Sequence, residues 1–566
     1  MSAPAPTPSR PSRWLDGPRG TALVVGFFVV VATLFTWPAA RLDPHTLVTR
    51  HFDLYVTVWL VEQAVEGLPR LLATGSAWPA GESLARVDSY LLMVVAWMGR
   101  GLLSGWLLTT LITWLGPALN AWAAEHCARR VLRVKRPWSL LAGLAYGFSG
   151  IAATAVLEGH VYFLLAAWLP LLLTTAWGAP DVGLPWGRGL ATGLWWSLAL
   201  LSSAYFGVLA TVLLLAVLAA RPRQTVRLMP GAALVALPVA AWYLWVFSIS
   251  QQHATLEVKP ELILSMGTAT LANLSSWTAQ VDTLRHSVGA PIGFTTLWLL
   301  LLAPLLLRGE RGWRALAVLA LLSLLLCFGR ALRVDDLHPG LPSPVALLVG
   351  LPGVEMFRFP IRFAWLFQLC GGLVAAASLQ ALARRLPSAA LLPVLALACI
   401  DGVLGTGLPF RAQRAIADIP SAYSAAPAGA PVLDCFGRSL DGSSGELEMW
   451  TRNLSCYYQA HHGRPILELC VRTEVQSPRE ALDSALGHGL LDTAASDDPA
   501  DLRPLRAALV GAGVGAVALH TDFYLPTDRQ LMLAGLERLL GPPLADSSDG
   551  GERVVLFHVA TGGLAP

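Results

Sequence analysis

Charged residues are scarce in this sequence. Of its 566 residues, 14% are Asp, Glu, Lys or Arg and 55% are hydrophobic, whereas soluble domains average about 25% and about 45–50%. This shortage excludes an ordinary soluble protein and favours a polytopic membrane protein. Lysine is almost absent, with only Lys135 and Lys259, so the positive charge comes from arginines. Because those arginines lie in short loops between apolar runs, we predict no nucleic-acid partner.

Motifs for several kinds of chemistry are also missing. The cysteines show no metal-ligand spacing, and neither a zinc motif nor a Ser, His and Asp set is present. Cys435, Cys456 and Cys470 allow one disulfide near the carboxyl terminus and leave one thiol over. The glycines between 511 and 515 lack the spacing and the following helix of a dinucleotide fingerprint, so we interpret them as turn residues.

Long apolar runs are what the sequence does contain. Residues 21–40 contain no charged residue. At about 1.5 Å per residue this run reaches roughly 30 Å, the thickness of the hydrocarbon layer. No small-residue cleavage site follows, so we predict an uncleaved anchor behind a cytoplasmic tail, residues 1–20. A run over 190–220 is divided at 202–204 because it is too long for one unkinked span. About eleven spans are predicted in all, at 21–40, 101–127, 138–157, 161–177, 190–203, 205–220, 228–249, 291–307, 313–329, 361–383 and 387–407.

The arginine clusters predict the orientation. Short cytoplasmic loops retain Lys and Arg, and the clusters fall on one side of this span pattern, at 10–19, 129–136, 188, 221–227, 308–314 and 384–385. We therefore predict a multi-pass protein of the inner (plasma) membrane with a cytoplasmic amino terminus. The odd number of spans predicts that the carboxyl-terminal part is periplasmic or otherwise extracytoplasmic.

The predicted fold is mainly α. It is a transmembrane helix bundle over 21–407 with large extracytoplasmic loops at 41–100, 250–290 and 330–360, and loops of this length are usually functional. After 408 the composition changes to alternating apolar and polar stretches with turn residues, which predicts a soluble α/β or α+β domain over 408–566. Residues 52–72 have apolar residues at helical spacing with charges between them, which predicts an amphipathic helix in the membrane interface.

Ionisable residues beside the membrane are the main candidates for a functional site. Charges are costly near hydrocarbon, so those that occur there often serve function. His51, Asp53 and Asp88 lie in the first loop, and Glu158 and His160 lie in a tight turn between spans. Asp53 is the candidate general base, and the others are candidate substrate-binding residues. The alternatives are a helix cap for Asp53, a solvated loop acid for Asp88 and an ordinary satisfied polar residue for His160.

Two arginines lie on the side where positive charge is disfavoured. Arg358 and Arg362 occur in the segment FRFPIRF, at the outward start of a span. Guanidinium groups four residues apart match the geometry that binds a phosphate or pyrophosphate. The alternative is that both side chains extend to lipid headgroups.

The ordered motifs resemble a known family. HFDLYVTVW, WPAGESLARVDSYLL, GHVYFLLAAWLPLLL, FRFPIRF and CYYQAHHGRPI are similar to segments of the bacterial polytopic glycosyltransferases of the C-type (GT-C) fold, which depend on lipid phosphosugars. The resemblance implies a polyprenyl-phosphate sugar as donor, membrane lipid as a neighbour, and a glycan, lipid or protein acceptor in the cell envelope. It also implies that Asp53 acts as base or orients the acceptor. No second acid adjoins Asp53, so no metal ligand is assigned and a divalent metal stays open as a cofactor.

The sequence thus favours transfer of a hexosyl or pentosyl group with inversion, and it leaves two alternatives. A transporter or flippase of lipid-linked glycans predicts ionisable residues deep in the spans and paired broken helices. A non-catalytic membrane assembly protein would tolerate the loss of Asp53 and Arg358 but not of its terminal domain.

Overall fold

The described part of the chain is built mainly from α-helices. The computed structural model describes residues 17–47, 49, 52–65, 89–178, 185–251, 281–282, 287–288, 293–308, 312–333, 340–348, 359–386, 392–401, 415–416, 418–436, 454–466, 482, 502–549 and 552–560. Its helices are α1 (Pro18–Phe35), α2 (Phe52–Val65), α3 (Tyr90–Met98), α4 (Gly105–Val131), α5 (Leu140–Gly147), α6 (Gly150–Leu157), α7 (Trp168–Trp177), α8 (Pro185–Ser202), α9 (Ala204–Ala220), α10 (Pro222–Gln251), α11 (Phe294–Leu306), α12 (Trp313–Cys327), α13 (Ala364–Ala383), α14 (Leu392–Cys399), α15 (454–462), α16 (Arg503–Gly511) and α17 (Pro526–Leu540). The predicted mainly α fold is confirmed.

Every predicted apolar run contains one of these helices. Among the described residues, four stretches are long and apolar enough to cross a membrane: Pro18–Phe35, Leu140–Leu157, Pro222–Val246 and Pro360–Ala383. Shorter apolar stretches occupy the runs at 161–177, 205–220, 291–307 and 313–329, and the runs at 101–127, 190–203 and 387–407 contain α4, α8 and α14. The chain therefore has the helices of a multi-pass membrane protein, while the count of about eleven spans and their orientation stay predictions.

The long apolar stretch over 190–220 is broken where the sequence predicted. Helix α8 ends at Ser202 and helix α9 begins at Ala204. Ser203 between them is extended, and its hydroxyl accepts a hydrogen bond from the backbone N–H of Tyr205 at 3.3 Å. A serine that caps the new helix in this way satisfies a backbone donor of its first turn.

Small residues let the helices of the bundle approach one another closely. A methyl group placed on Gly147 of α5 would come within 2.4 Å of the carbonyl oxygen of Pro117 in α4. One placed on Gly193 of α8 would come equally close, at 2.4 Å, to the carbonyl oxygen of Ala232 in α10. Helices in membranes associate through this kind of tight packing because burial away from lipid adds little hydrophobic gain.

An ion pair is buried at the end of α4 that lies far from α2. The carboxylate of Glu125 accepts hydrogen bonds from Nε of Arg136 at 2.8 Å and from the hydroxyl of Ser139 at 2.9 Å. The Glu125 side chain is fully buried. Each partner thus compensates the other's loss of hydration, and the pair holds the segment between α4 and α5 against α4.

Helix α2 is buried in protein, so the prediction of an interfacial amphipathic helix is wrong for residues 53–65. None of its described side chains is exposed. The carboxylate of Glu62 accepts a hydrogen bond from the backbone N–H of Gly105 at 2.6 Å and so caps the start of α4 instead of facing water. The sequence suggested Asp53 as a helix cap, but Asp53 lies within the first turn of α2, after the capping position. A carboxylate in that turn still interacts favourably with the helix dipole.

A four-stranded sheet forms the carboxyl-terminal part. Its strands are β7 (Val432–Cys435), β8 (Ala516–His520), β9 (Ala545–Ser547) and β10 (Val554–His558), numbered after the short pairs β1 (Thr46–Leu47), β2 (Val281–Asp282), β3 (Ser287–Val288), β4 (Ala331–Leu332), β5 (Leu341–Pro342) and β6 (Ala415–Ile416). The order is β7–β8–β10–β9, with β7 parallel to β8 and the other neighbours antiparallel. Strand β1 pairs with β6, which ties the first loop to the segment before the sheet.

The two faces of this sheet have different partners. Leu433, Val517 and Val555 pack in one core with residues of α16 and α17. Alternate residues such as Val432 and Ala518 pack in a second core with α15 and with α2. The alternation of side chains along a strand therefore places one face of the sheet against its own helices and the other against the membrane bundle. The boundary at 407/408 and the solubility of this domain stay predictions.

The cysteines of the carboxyl-terminal part are not equivalent. Cys456 in α15 is disulfide-bonded, whereas Cys435 in β7 is free and buried. A disulfide at Cys456 and a free thiol at Cys435 are compatible with the one disulfide that the sequence allows. Cys470 lies outside the described residues.

The turn after α6 packs directly on the start of α2. Gly159 has a φ of +68°, which an L-residue adopts only with strain. A methyl group on Gly159 would also come within 2.5 to 2.7 Å of Cβ, N and Cα of Leu54. The hydroxyl of Thr49 donates to the carbonyl of Leu157 at 2.8 Å and reinforces the contact. Only glycine allows the turn and the helix to touch in this way.

We expect Gly159→Ala to lower the free energy of unfolding by about 1–3 kcal/mol more than Gly429→Ala. Gly429 has a similar φ of +72°, but a methyl group there would meet nothing within 4 Å. The control therefore carries the backbone strain without the collision with Leu54. The measurement is denaturant unfolding of the detergent-solubilised variants followed by tryptophan fluorescence. Equal losses in the two variants would contradict the packing argument.

Candidate functional site

Asp53 is presented by the first turn of α2. Its backbone carbonyl accepts a hydrogen bond from the hydroxyl of Thr57 at 2.7 Å, which adds a side-chain bond to the helical ladder. Its side chain is 27% exposed, so the carboxylate is neither sealed in the core nor fully solvated. The burial of the rest of α2 fixes the direction in which Asp53 points.

His160 lies between two carboxylates. Its Nε2 is 2.8 Å from Oδ2 of Asp53, and its Nδ1 is 3.0 Å from Oε2 of Glu158. A ring with a carboxylate at each nitrogen is most stable when both nitrogens carry a proton. Burial acts to lower the pKa of His160, but the charges and hydrogen bonds of Asp53 and Glu158 outweigh burial and raise that pKa to about 9. His160 is therefore an imidazolium at neutral pH, and it joins the two acids.

Arg362 lies beside this group in a cage of aromatic rings. Its Cζ is 3.9 Å from the ring centroid of Tyr205, 4.4 Å from that of Phe163 and 4.6 Å from that of Phe359. Cation–π contacts of this kind hold the plane of a guanidinium while its N–H edge stays able to donate. Within the described ranges, no carboxylate forms an ion pair with Arg362.

One ring connects the arginine with the histidine. The ring centroid of His160 is 5.6 Å from that of Phe163, and Cζ of Arg362 is 4.4 Å from the same point. The histidine ring and the guanidinium carbon are therefore no more than about 10 Å apart, a span that a phosphosugar can bridge. Phe163 in turn contacts Phe206 edge-on at 5.6 Å, and Phe206 contacts Trp365, so the floor of the site is aromatic and buried.

The structure gathers part of the predicted set. Asp53, Glu158 and His160 are in direct contact, and Arg362 is nearby, although these residues belong to three distant parts of the sequence. The other predicted members lie outside the described residues: His51, Asp88 and Arg358. No group of three or more His, Cys, Asp and Glu residues that could hold a metal ion occurs in the part of the chain that the structure describes.

Sequence reasoning missed the aromatic residues around Arg362. Phe163 follows His160 in the segment EGHVYF, and Tyr205 follows the break between α8 and α9. Aromatic residues next to polar ones at span ends were the available signal, but they are also typical of the membrane interface. Only the fold distinguishes an aromatic cage from an aromatic belt.

The sequence has no match among family models, and no curated protein matches it. Solved structures do match. The arabinofuranosyltransferase AftD from Mycobacteria superposes on 96% of this chain with a TM-score of 0.62 and 16% sequence identity. The apo oligosaccharyltransferase of Archaeoglobus fulgidus superposes on 93% of this chain with a TM-score of 0.54 and 12% identity.

These matches cover 40% of AftD and 72% of the archaeal protein, so the chain spans about two fifths of the length of AftD. At identities this low, the superpositions establish similarity of fold alone. Both solved structures are polytopic membrane glycosyltransferases with the C-type architecture. The chain therefore has the C-type glycosyltransferase fold that its sequence motifs predicted.

Proposed function

We propose that this protein is a membrane glycosyltransferase that moves a sugar from a polyprenyl-phosphate donor to an extracytoplasmic acceptor with inversion. The observation that carries the proposal is the Asp53–His160–Glu158 group facing Arg362 across Phe163, within a C-type fold. This arrangement supplies an acid–base group and a phosphate-binding cation within reach of one small ligand. The donor sugar is a hexose or a pentose, and the acceptor is a glycan, a lipid or a protein.

Asp53 acts as the general base in this proposal. Its carboxylate accepts the hydroxyl proton of the acceptor while the acceptor oxygen forms a bond to the anomeric carbon. The bond from that carbon to the phosphate oxygen breaks at the opposite face, and its electron pair leaves with the polyprenyl phosphate. Because phosphate is already a competent leaving group, the protein contributes mainly through positioning and charge stabilisation.

His160 and Glu158 hold Asp53 in place. The imidazolium donates one N–H to each carboxylate, so rotation of Asp53 would break a charge-assisted hydrogen bond. Arg362 binds the phosphate, which gains negative charge as the sugar leaves. The aromatic cage orients the guanidinium so that two N–H groups can meet two phosphate oxygens. We assign Arg358, His51 and Asp88 to the same site from their sequence positions.

The site belongs to the extracytoplasmic side in this proposal. The positive-inside rule assigns the arginine-rich loops to the cytoplasmic side. Helix α2 belongs to the first loop, which is then extracytoplasmic. The polyprenyl chain then lies between helices of the bundle, and the acceptor approaches from the side of the carboxyl-terminal sheet.

We expect Asp53→Asn to abolish sugar transfer while the protein folds normally, because an amide cannot accept the hydroxyl proton. The assay uses purified protein in nanodiscs with a panel of radiolabelled polyprenyl-phosphate pentoses and hexoses and a cell-envelope extract as acceptor. Asp528→Asn is the matched control, since Asp528 also lies in the first turn of a helix, α17. Full activity of Asp53→Asn would remove Asp53 from the mechanism, and no transfer by the wild type from any donor would contradict the proposed function.

The protonation of His160 predicts the pH dependence of transfer. Its pKa in the folded protein is about 9, above the ordinary value of about 6.5. The imidazolium, which is hydrogen-bonded to both carboxylates, therefore predominates at neutral pH. It is lost as the pH rises through about 9, so kcat/KM should fall there. Glu158→Gln removes one carboxylate and should move this fall to lower pH. A pH–rate profile with circular dichroism at each pH tests this, and an unmoved profile in Glu158→Gln would contradict it.

Arg362→Gln should weaken binding of sugar-free decaprenyl phosphate by about 10- to 100-fold, the cost of losing charged hydrogen bonds to phosphate. Arg100→Gln is the control, because Arg100 also stacks on an aromatic ring, Trp97, at the end of a helix. Native mass spectrometry of lipid titrations measures both. If both variants lose affinity equally, the phosphate interacts with positive charge in general and not with the Arg362 site.

A further inference from the structure

A buried glutamine joins the carboxyl-terminal part to α2. The side-chain oxygen of Gln459 in α15 accepts hydrogen bonds from Nε1 of Trp59 at 2.8 Å and from Nε2 of Gln63 at 3.1 Å. All three residues are at least 97% buried. In an environment without water, the two donors on α2 depend on this one oxygen.

Tyr457 of α15 also packs on α2. The rings of Tyr457 and Tyr55 are 5.2 Å apart in an edge-on arrangement. Together with the bonds of Gln459, this contact fixes both the rotation and the axial position of α2. Apolar packing alone would allow α2 to slide or rotate by small amounts, whereas two hydrogen bonds to one atom do not.

Tyr458 of α15 contacts residues of the sheet and its adjoining loop. The hydroxyl of Tyr458 donates to the carboxylate of Glu552, and the ring of Tyr458 lies parallel to that of His520 at 5.6 Å. His520 is fully buried, with Nδ1 2.9 Å from Glu552 and Nε2 3.3 Å from Asp434. This ionic group is rigid because any displacement would leave a buried charge without its partner.

Displacement of α2 would act on Asp53. Trp59 and Gln63 follow Asp53 in the same helix, and the helix transmits a rotation along its length. The distance from Asp53 to His160 is already that of a hydrogen bond, 2.8 Å, so a rotation of α2 would break the bond. Arg362 lies on another part of the chain and would not move with α2.

We propose that Gln459 is a positioning residue, which sets α2 so that Asp53 meets His160 and which thereby couples the carboxyl-terminal sheet to the site. This inference rests on the proposed function for its catalytic consequence. Its structural part, the coupling of α15 to α2, stands on the hydrogen bonds of Gln459.

The test compares Gln459→Leu with Gln459→Glu and Gln380→Leu. Leucine removes the acceptor, whereas glutamate keeps an oxygen for both donors. Gln380 is the matched control, because it is buried and its side-chain oxygen also accepts a hydrogen bond, from the backbone N–H of Lys135 at 2.5 Å. That bond lies at the end of the bundle where Arg136 meets Glu125, far from α2.

Hydrogen exchange is the first readout and needs no substrate. In Gln459→Leu the amides of α2 should exchange at least about tenfold faster, while those of β8 and β10 keep their protection. Gln459→Glu should restore slow exchange, and Gln380→Leu should leave α2 unchanged. Unchanged exchange of α2 in Gln459→Leu, or the same increase in Gln380→Leu, would overturn the proposal.

Transfer kinetics are the second readout. Gln459→Leu should lower kcat about tenfold with the KM for the lipid donor unchanged, because Asp53 moves and Arg362 does not. Gln459→Glu should recover most of kcat. A rise in KM at constant kcat would overturn the positioning role. A wild type that transfers no sugar would contradict the proposed function alone, since the exchange of α2 still decides whether Gln459 couples the two parts.

Discussion

The bonds from His160 to Asp53 and Glu158 are the interaction on which the site depends. They join α2 to the turn after α6, two elements that are about a hundred residues apart in the sequence. Two partly buried carboxylates around one ring repel each other and lose hydration, and the protonated imidazole offsets both costs. The tight turn at Gly159 is what allows the imidazole to reach Asp53, because any larger residue would push Leu54 and α2 away.

A histidine between two carboxylates occurs a second time, in the carboxyl-terminal sheet. His520 lies between Asp434 and Glu552 as His160 lies between Asp53 and Glu158, and burial lowers its pKa less than the two carboxylates raise it, to about 9. In the sheet the group is buried, and the hydroxyls of Tyr423 and Tyr458 donate to Asp434 and Glu552. In the bundle the side chain of Asp53 keeps about a quarter of its surface exposed. The same pair of interactions thus gives a rigid support in one place and an accessible acid in the other.

The sequence predicted what depends on local pattern. Apolar runs located the helices, and an excess of length predicted the break at Ser203, where a serine could cap the second helix. It also singled out Glu158 and His160, because ionisable residues at a span end are costly unless they serve a purpose. It did not predict the interaction of His160 with Asp53, since spacing along the chain carries no information about contacts a hundred residues away.

Helix α2 illustrates why a charge pattern alone misled. A charged residue such as Glu62 within a helical apolar pattern can face water or can bind a polar group of the protein. The sequence pattern is the same in both cases. Here the partner is the backbone N–H of Gly105, at the start of a helix that begins forty residues later. The links of α2 to α15 through Gln459 are longer still in sequence, nearly four hundred residues. Long-range hydrogen bonds therefore decided the environment of this helix, and they are visible only in the fold.

Arg362 shows how aromatic rings can hold a positive charge in place. An ion pair would hold the guanidinium firmly, but a carboxylate would occupy the N–H edge and compete with any anionic ligand. Among the described residues, aromatic rings surround the guanidinium carbon of Arg362, and their attraction is weaker than that of a carboxylate. Within the part of the chain that the structure describes, the cage therefore stabilises the position of Arg362 without placing a carboxylate on its N–H groups. In the proposed function, a phosphate beside Asp53 would meet a cation whose position is already set by folding, which would lower the ordering cost of binding.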